Sequence, residues 1–350
     1  MRRPDGAFSG SRNQSGDTSP HSKYGLNARI ATFMDSLNFF TDREGHLRSG
    51  WRLAIFCVAF MICGQVTQFV LLRSLALILH RSIQEIDASN WAVLSGHGSI
   101  LFSSLVVGWG CGALLEELPL SELGCTPHKG WLKNLLIGSL IGMASLFLAT
   151  LLATFRHAIQ ISFNPAGAGA ILQTLIVSML IFVFAAVAEE MMFRSYPLQT
   201  LVRANLPFSG VLLTSLAFAA VHLPNPNLSP FTFINTALAG IWLAVAYLRT
   251  RSLWLSFGLH WSWNWAQGSL LGLPVSGIER FAPAPLLKGV DLGPDWLTGG
   301  KYGIEGGLAC TIALMISIAV IWNLKLFVRA DVTASQKPDR LGAPAGHQDS

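Results

Sequence analysis

The sequence predicts an all-α, polytopic integral membrane protein with about eight transmembrane helices. Three observations predict it. Only 12% of the 350 residues are charged while 51% are hydrophobic. Uncharged apolar runs recur along the chain, and Lys and Arg gather between them. A soluble domain carries about 25% charged residues, so much of this surface is built to face lipid.

The runs are taken in order. Residues 53–72 contain no charge over twenty positions, and 91–115 and 134–155 are likewise free of Asp, Glu, Lys and Arg. About twenty apolar residues cross the hydrocarbon core as a helix. A fourth run begins near Ala170 and stays apolar to Ala188, where charge appears abruptly. The remaining runs are 209–223, 231–248, 253–273 and 306–324, of which 209–223 is short for a span.

Residues 1–50 are polar and expected as a disordered, juxtamembrane tail. Within them, 28–41 has the spacing of a short amphipathic helix, with Ile30, Phe33, Met34 and Leu37 on one side. No cleavable signal peptide is expected, because the early chain lacks an apolar core. Residues 51–330 form the expected helical domain and 331–350 a second disordered tail. The connection 274–305 is rich in Gly and Pro and reads as an outer loop, a partial lid. Its 293–300 stretch lacks the GK[ST] ending of a phosphate loop.

The formal net charge of +5 orients the protein rather than binding a polynucleotide. Eight Lys and Arg precede the first run up to Arg52, and Arg194, Arg203, Arg249, Arg251, Lys325 and Arg329 fall on the same side. Cationic loops stay cytoplasmic, so both termini are expected in the cytoplasm, with the chain in a bacterial inner membrane. Trp51, Trp91, Trp131, Trp254 and Trp322 sit at run ends, as an aromatic belt requires. The five cysteines are scattered, without a CxxC pair; they read as apolar packing residues rather than a disulfide framework or thiolate metal site.

Ionisable residues inside spans mark functional sites by default, and three clusters stand out. In Glu189-Glu190-Met191-Met192-Phe193-Arg194, Glu190 and Arg194 are four apart and share a helix face, while Glu189 points about 100° away. A carboxylate in an apolar pocket serves as a general base. In Phe218-Ala219-Ala220-Val221-His222, Phe218 and His222 share a face, and Pro224 and Pro226 end or kink the helix. In His260-Trp261-Ser262-Trp263-Asn264, His260 and Asn264 share a face. An imidazole and an amide there can donate two hydrogen bonds to one oxygen, as an oxyanion hole requires. Each cluster alone also suits a helix end or a packing contact. Together they place one carboxylate, two histidines and one amide on three helices.

The ordered set EExxxR, FxxxH and HxxxN resembles the CPBP family, which comprises type II CAAX prenyl endopeptidases and bacteriocin-processing, Abi-like proteins. The approach Arg249-Thr250-Arg251-Ser252-Leu253-Trp254 also looks like that family, and the likeness extends over roughly 110–275. The resemblance implies an intramembrane endopeptidase. Glu189 and His222 would activate a water, His260 and Asn264 would stabilise the oxyanion, and Glu190, Arg194 and Phe218 would support them. It implies direct water attack on a peptide or protein substrate reaching the bilayer, and no nucleic acid partner. Glu189, His222 and His260 also form a zinc-type ligand set, so a divalent metal such as Zn2+ is kept as a cofactor alternative. Two rival functions draw on the same polar groups: a proton-coupled transporter and a non-catalytic partner-binding or immunity protein. Hydropathy alone sets Glu189 and His222 near opposite membrane faces. The fourth helix is therefore expected to continue past Arg194 toward Leu201, carrying Glu189 deeper.

Overall fold

The computed structural model describes residues 39–42 and 45–330. Residues 1–38, 43 and 44 of the expected 1–50 tail and all of the expected 331–350 tail lie outside these residues, as do Ile30, Phe33, Met34 and Leu37 of the expected amphipathic helix. The chain divides into two units, one ending at Arg48 and the other beginning at Ser49. In the first, Thr41 and Leu47 form an isolated antiparallel bridge. Everything below concerns the second.

Helices occupy all eight expected runs. They are α1 (Ser49–Leu79), α2 (Asn90–Leu115), α3 (Trp131–Phe155), α4 (Ala168–Phe193), α5 (Tyr196–Arg203), α6 (Pro207–Val221), α7 (Pro230–Thr250), α8 (Trp254–Trp265) and α9 (Leu308–Asn323). Outside those runs lie α5 and two one-turn helices, Ile83–Asp87 and Asp295–Thr298. Among the described residues, five spans are long and apolar enough to cross a membrane: α1, α2, α3, the α4–α5 stretch and α7. Helices α6 and α9 are apolar but shorter. Leu140, Leu151 and Phe69 lie exposed on the outside, and Phe56 is the only residue that α1 buries. This outward apolar surface is what lipid contact requires.

The expected continuation of the fourth helix past Arg194 is corrected. Helix α4 stops at Phe193, Ser195 adopts φ −75° and ψ −123°, and α5 starts anew with Pro197 in its first turn. Proline lacks the N–H that an unbroken helix would need there. The chain thus turns directly behind the acidic motif.

The connection 274–305 is also more ordered than a loop. It contains β2 (Leu287–Asp291), which pairs antiparallel with β1 (Ile159–Phe163), Ile161 opposite Gly289. Ile159, Ile161 and Phe163 supply the alternation that favours a strand, in a segment too short to register between two helices. At the other end, Glu116 closes α2 with salt bridges to Arg52 (2.8 Å) and Arg203 (2.8 Å).

The closest helix approach positions the site. Helices α3 and α8 meet along glycines, and a Cβ added to Gly258 would lie 2.8 Å from the backbone N of Ser139. Only glycine allows such backbone proximity. Trp261 Nε1 donates to Ser139 Oγ at 3.1 Å across the same seam.

Candidate active site

The acidic motif ends α4. Arg194 Nη1 donates to Glu190 Oε1 at 3.2 Å, and its Nη2 donates to the Gly240 carbonyl of α7 at 3.1 Å. Both charged side chains are fully buried. Buried charge is tolerated only when paired and hydrogen-bonded; Glu190 Oε1 and both Arg194 Nη atoms meet this, while Glu190 Oε2 and Arg194 Nε find no hydrogen-bond partner among the described residues. The guanidinium also stands over the Phe218 ring, 4.5 Å from its centroid. That contact ties α4 to α6 and accounts for an aromatic residue one turn before His222.

His260 reaches the same motif from α8. Its Nδ1–H donates to Glu190 Oε1 at 2.9 Å, while its Nε2 stands 3.7 Å from Glu189 Oε2. The imidazole is thus aimed by one carboxylate and faces the other. Its ring also meets Phe218 edge-on, with centroids 5.9 Å apart. Asn264 follows one turn later, just before a π-helical turn over Ala266–Leu270. Such wide turns recur at functional sites.

His222 caps α6. With the helix ending, its backbone N–H bonds the Ala219 carbonyl, and the Phe218 carbonyl is left for the imidazole. His222 Nδ1–H donates to that carbonyl at 2.7 Å. The bond fixes the ring and leaves Nε2 unengaged by this contact. The helix end expected from Pro224 and Pro226 is therefore what orients the histidine.

Glu189, His222, His260 and Asn264 all line one cavity of about 340 Å³, with Phe218 in its wall. Glu190 and Arg194 stand behind it. Glu189 Oε2 is buried and has no hydrogen-bond partner among the described residues. The depth conflict that hydropathy implies disappears, because His222 sits at the very end of a short helix and so reaches the level of Glu189.

Sequence reasoning missed two cavity residues. His97 of α2 contacts Glu189 Oε1 through Nε2 at 3.3 Å. It sits in an apolar run without Asp, Glu, Lys or Arg, where a lone imidazole was itself the signal. Glu305 lines the cavity from the connection before α9, and the Ser276 backbone N–H donates to its Oε1. Burial raises its carboxyl to about 7, against the lowering effect of Ser276. Its position in a Gly-rich loop gave no periodic cue.

The donor types at Glu189, His222 and His260 suit zinc. However, no three His, Cys, Asp or Glu side chains converge in metal-holding geometry among the described residues. As these side chains stand they do not form a three-ligand site, and no step below passes through a metal.

Residues 171–266 match the family model described as type II CAAX prenyl endopeptidase Rce1-like. Over those residues the chain is similar to that family. No curated protein and no solved structure matches the chain. The Rce1-like segment is narrower than the 110–275 likeness read from the motifs, yet it holds every motif residue from Glu189 to Asn264. His97 and Glu305 fall outside it. At family level, the Rce1-like match supports a membrane-embedded CAAX-type endopeptidase.

Proposed function

We propose that the protein hydrolyses a peptide bond within the membrane, using a water activated by Glu189 and His222. The observation that carries this reading is the convergence of Glu189, His222, His260 and Asn264 on one cavity, with Glu189 Oε2 unpartnered. Glu189 Oε2 and His222 Nε2 are both acceptors, so one water can donate a hydrogen to each. Its oxygen lone pair then points at the substrate carbonyl carbon. The water oxygen bonds that carbon as Glu189 takes the proton, and the carbonyl oxygen gains the charge. With both ring nitrogens protonated, His260 keeps Nδ1–H on Glu190 and donates Nε2–H to that oxygen, alongside the Asn264 amide N–H. Collapse breaks the C–N bond, and the proton held by Glu189 passes to the leaving amine nitrogen. No acyl-enzyme forms. Glu190 and Arg194 keep His260 and the end of α4 in place.

The likeness of residues 171–266 to that family supports a CAAX-type peptide, prenylated at its cysteine, as the substrate class. The positive residues before Arg52 and after α9 support cytoplasmic termini.

The experiment uses purified full chain in liposomes with a fluorogenic farnesylated CAAX peptide. Glu189→Gln should lower kcat by about 10²–10⁴-fold, and solvent ¹⁸O should enter the new carboxylate in one turnover. A Glu189→Gln protein cleaving at the wild-type rate would sink the reading. Proton flux in the same vesicles without cleavage would select the transporter instead.

A further inference from the structure

His97 is a histidine in mid-span that the scheme above does not use. It belongs to α2, far upstream of the Rce1-like segment. Its ring is held on both sides, Nδ1 lying 3.0 Å from the Val93 carbonyl and Nε2 3.3 Å from Glu189 Oε1; both partners accept, so the ring that donates to each carries a proton on both nitrogens. The Val93 bond fixes ring rotation, so Nε2 has one direction to offer.

That direction matters because the two oxygens of Glu189 differ. Oε1 is occupied by His97, whereas Oε2 is buried without a partner and stands 3.7 Å from His260 Nε2. A glutamate side chain has three rotatable bonds and a two-fold terminal torsion. Without a fixed donor, the carboxylate would turn either oxygen toward the cavity or swing onto His260. A base held in the productive geometry reacts faster than one that must find it.

We infer that His97 is the positioning residue for Glu189: it pins Oε1 so that Oε2 alone faces the water. The reaction centre then spans four helices, α2, α4, α6 and α8, and the Rce1-like segment contains only three of them. This inference rests on the water-activation reading above. A histidine that merely fills a polar gap would affect stability when replaced but leave turnover per folded molecule unchanged.

The test compares four full-chain variants in liposomes with the farnesylated CAAX peptide, alongside melting temperature. His97→Leu keeps bulk but donates nothing. His97→Asn ends near the position of Nδ1, short of Glu189. His97→Gln extends an amide N–H to about the position of Nε2. Glu189→Gln reports on the underlying reading. His97→Leu and His97→Asn should lower kcat by about 10–100-fold, the usual cost of losing a residue that orients a reacting side chain, with KM unchanged. His97→Gln should recover most of the loss. If His97→Leu does not fold, the Asn–Gln contrast decides. Wild-type kcat in His97→Asn beside an inactive Glu189→Gln would overturn the role of His97 and leave the reading intact. An active Glu189→Gln would overturn both.

Discussion

His260 is oriented by Glu190: its Nδ1 lies 2.9 Å from Glu190 Oε1, the same oxygen that receives Arg194 Nη1 at 3.2 Å. One buried carboxylate oxygen thereby joins α4 and α8, and through the Arg194 bond to the Gly240 carbonyl it reaches α7. The adjacent glutamates divide the work, Glu190 as a brace and Glu189 as the group exposed to the cavity.

Replacing Glu190 should therefore damage the fold as well as the chemistry. Glu190→Ala leaves the Arg194 guanidinium buried without its counter-charge, a loss of about 3–5 kcal/mol. A thermal melt in detergent should show a large drop. Glu189→Ala, whose partner His97 is not fully buried, should melt much closer to wild type. Equal melting temperatures for the two variants would contradict this division.

The α3–α8 seam makes a steric prediction. In Gly258→Ala the new methyl must displace the Leu135 carbonyl and the Ser139 amide, both backbone atoms that cannot rotate away. Overpacking of this kind costs about 1–3 kcal/mol. It should also shift His260, two residues on, so kcat should fall along with stability. Gly169→Ala, where nothing lies near the added atom, serves as the control and should behave as wild type.

Glu305 should give the protein a pH-dependent stability. Burial raises its carboxyl from the ordinary glutamate range to about 7. The folded state therefore holds a proton that the unfolded chain releases at lower pH. By linkage, stability should fall as pH rises from about 4.5 to 7 and then level off. Melting curves across pH 5–8 should show this decline in the wild type and less of it in Glu305→Gln. An identical pH slope in both would remove Glu305 as its source.

Chelation tests the metal alternative directly. With no three ligating side chains convergent, cleavage of the farnesylated peptide should survive exhaustive dialysis against a strong chelator. Loss of activity restored by added Zn2+ would show that the cavity rearranges around an ion.

The helices and the motif faces were legible because both depend on local spacing. The Glu190–Arg194 pairing and the shared faces of Phe218–His222 and His260–Asn264 follow from helical periodicity alone. The break at Ser195 was not legible, since the abrupt change in hydropathy falls earlier, at Glu189, and Pro197 is the only local hint of the break itself. The strand pair joins residues more than a hundred positions apart, and neither half has enough alternation to declare itself. His97 was overlooked because its importance comes from what it touches on another helix. Glu305 was overlooked because its burial depends on how the loop folds back.

The glycine seam also bears on what can be cut out of this protein. Helix α8 ends the Rce1-like segment, yet the backbone it nests against belongs to α3, which precedes that segment altogether. An excised 171–266 fragment would present Gly258 and its neighbours as a bare groove with nothing to fill it. The stretch that sequence likeness singles out is thus a unit of ancestry rather than a unit of self-assembly, and expression trials should begin no later than α2.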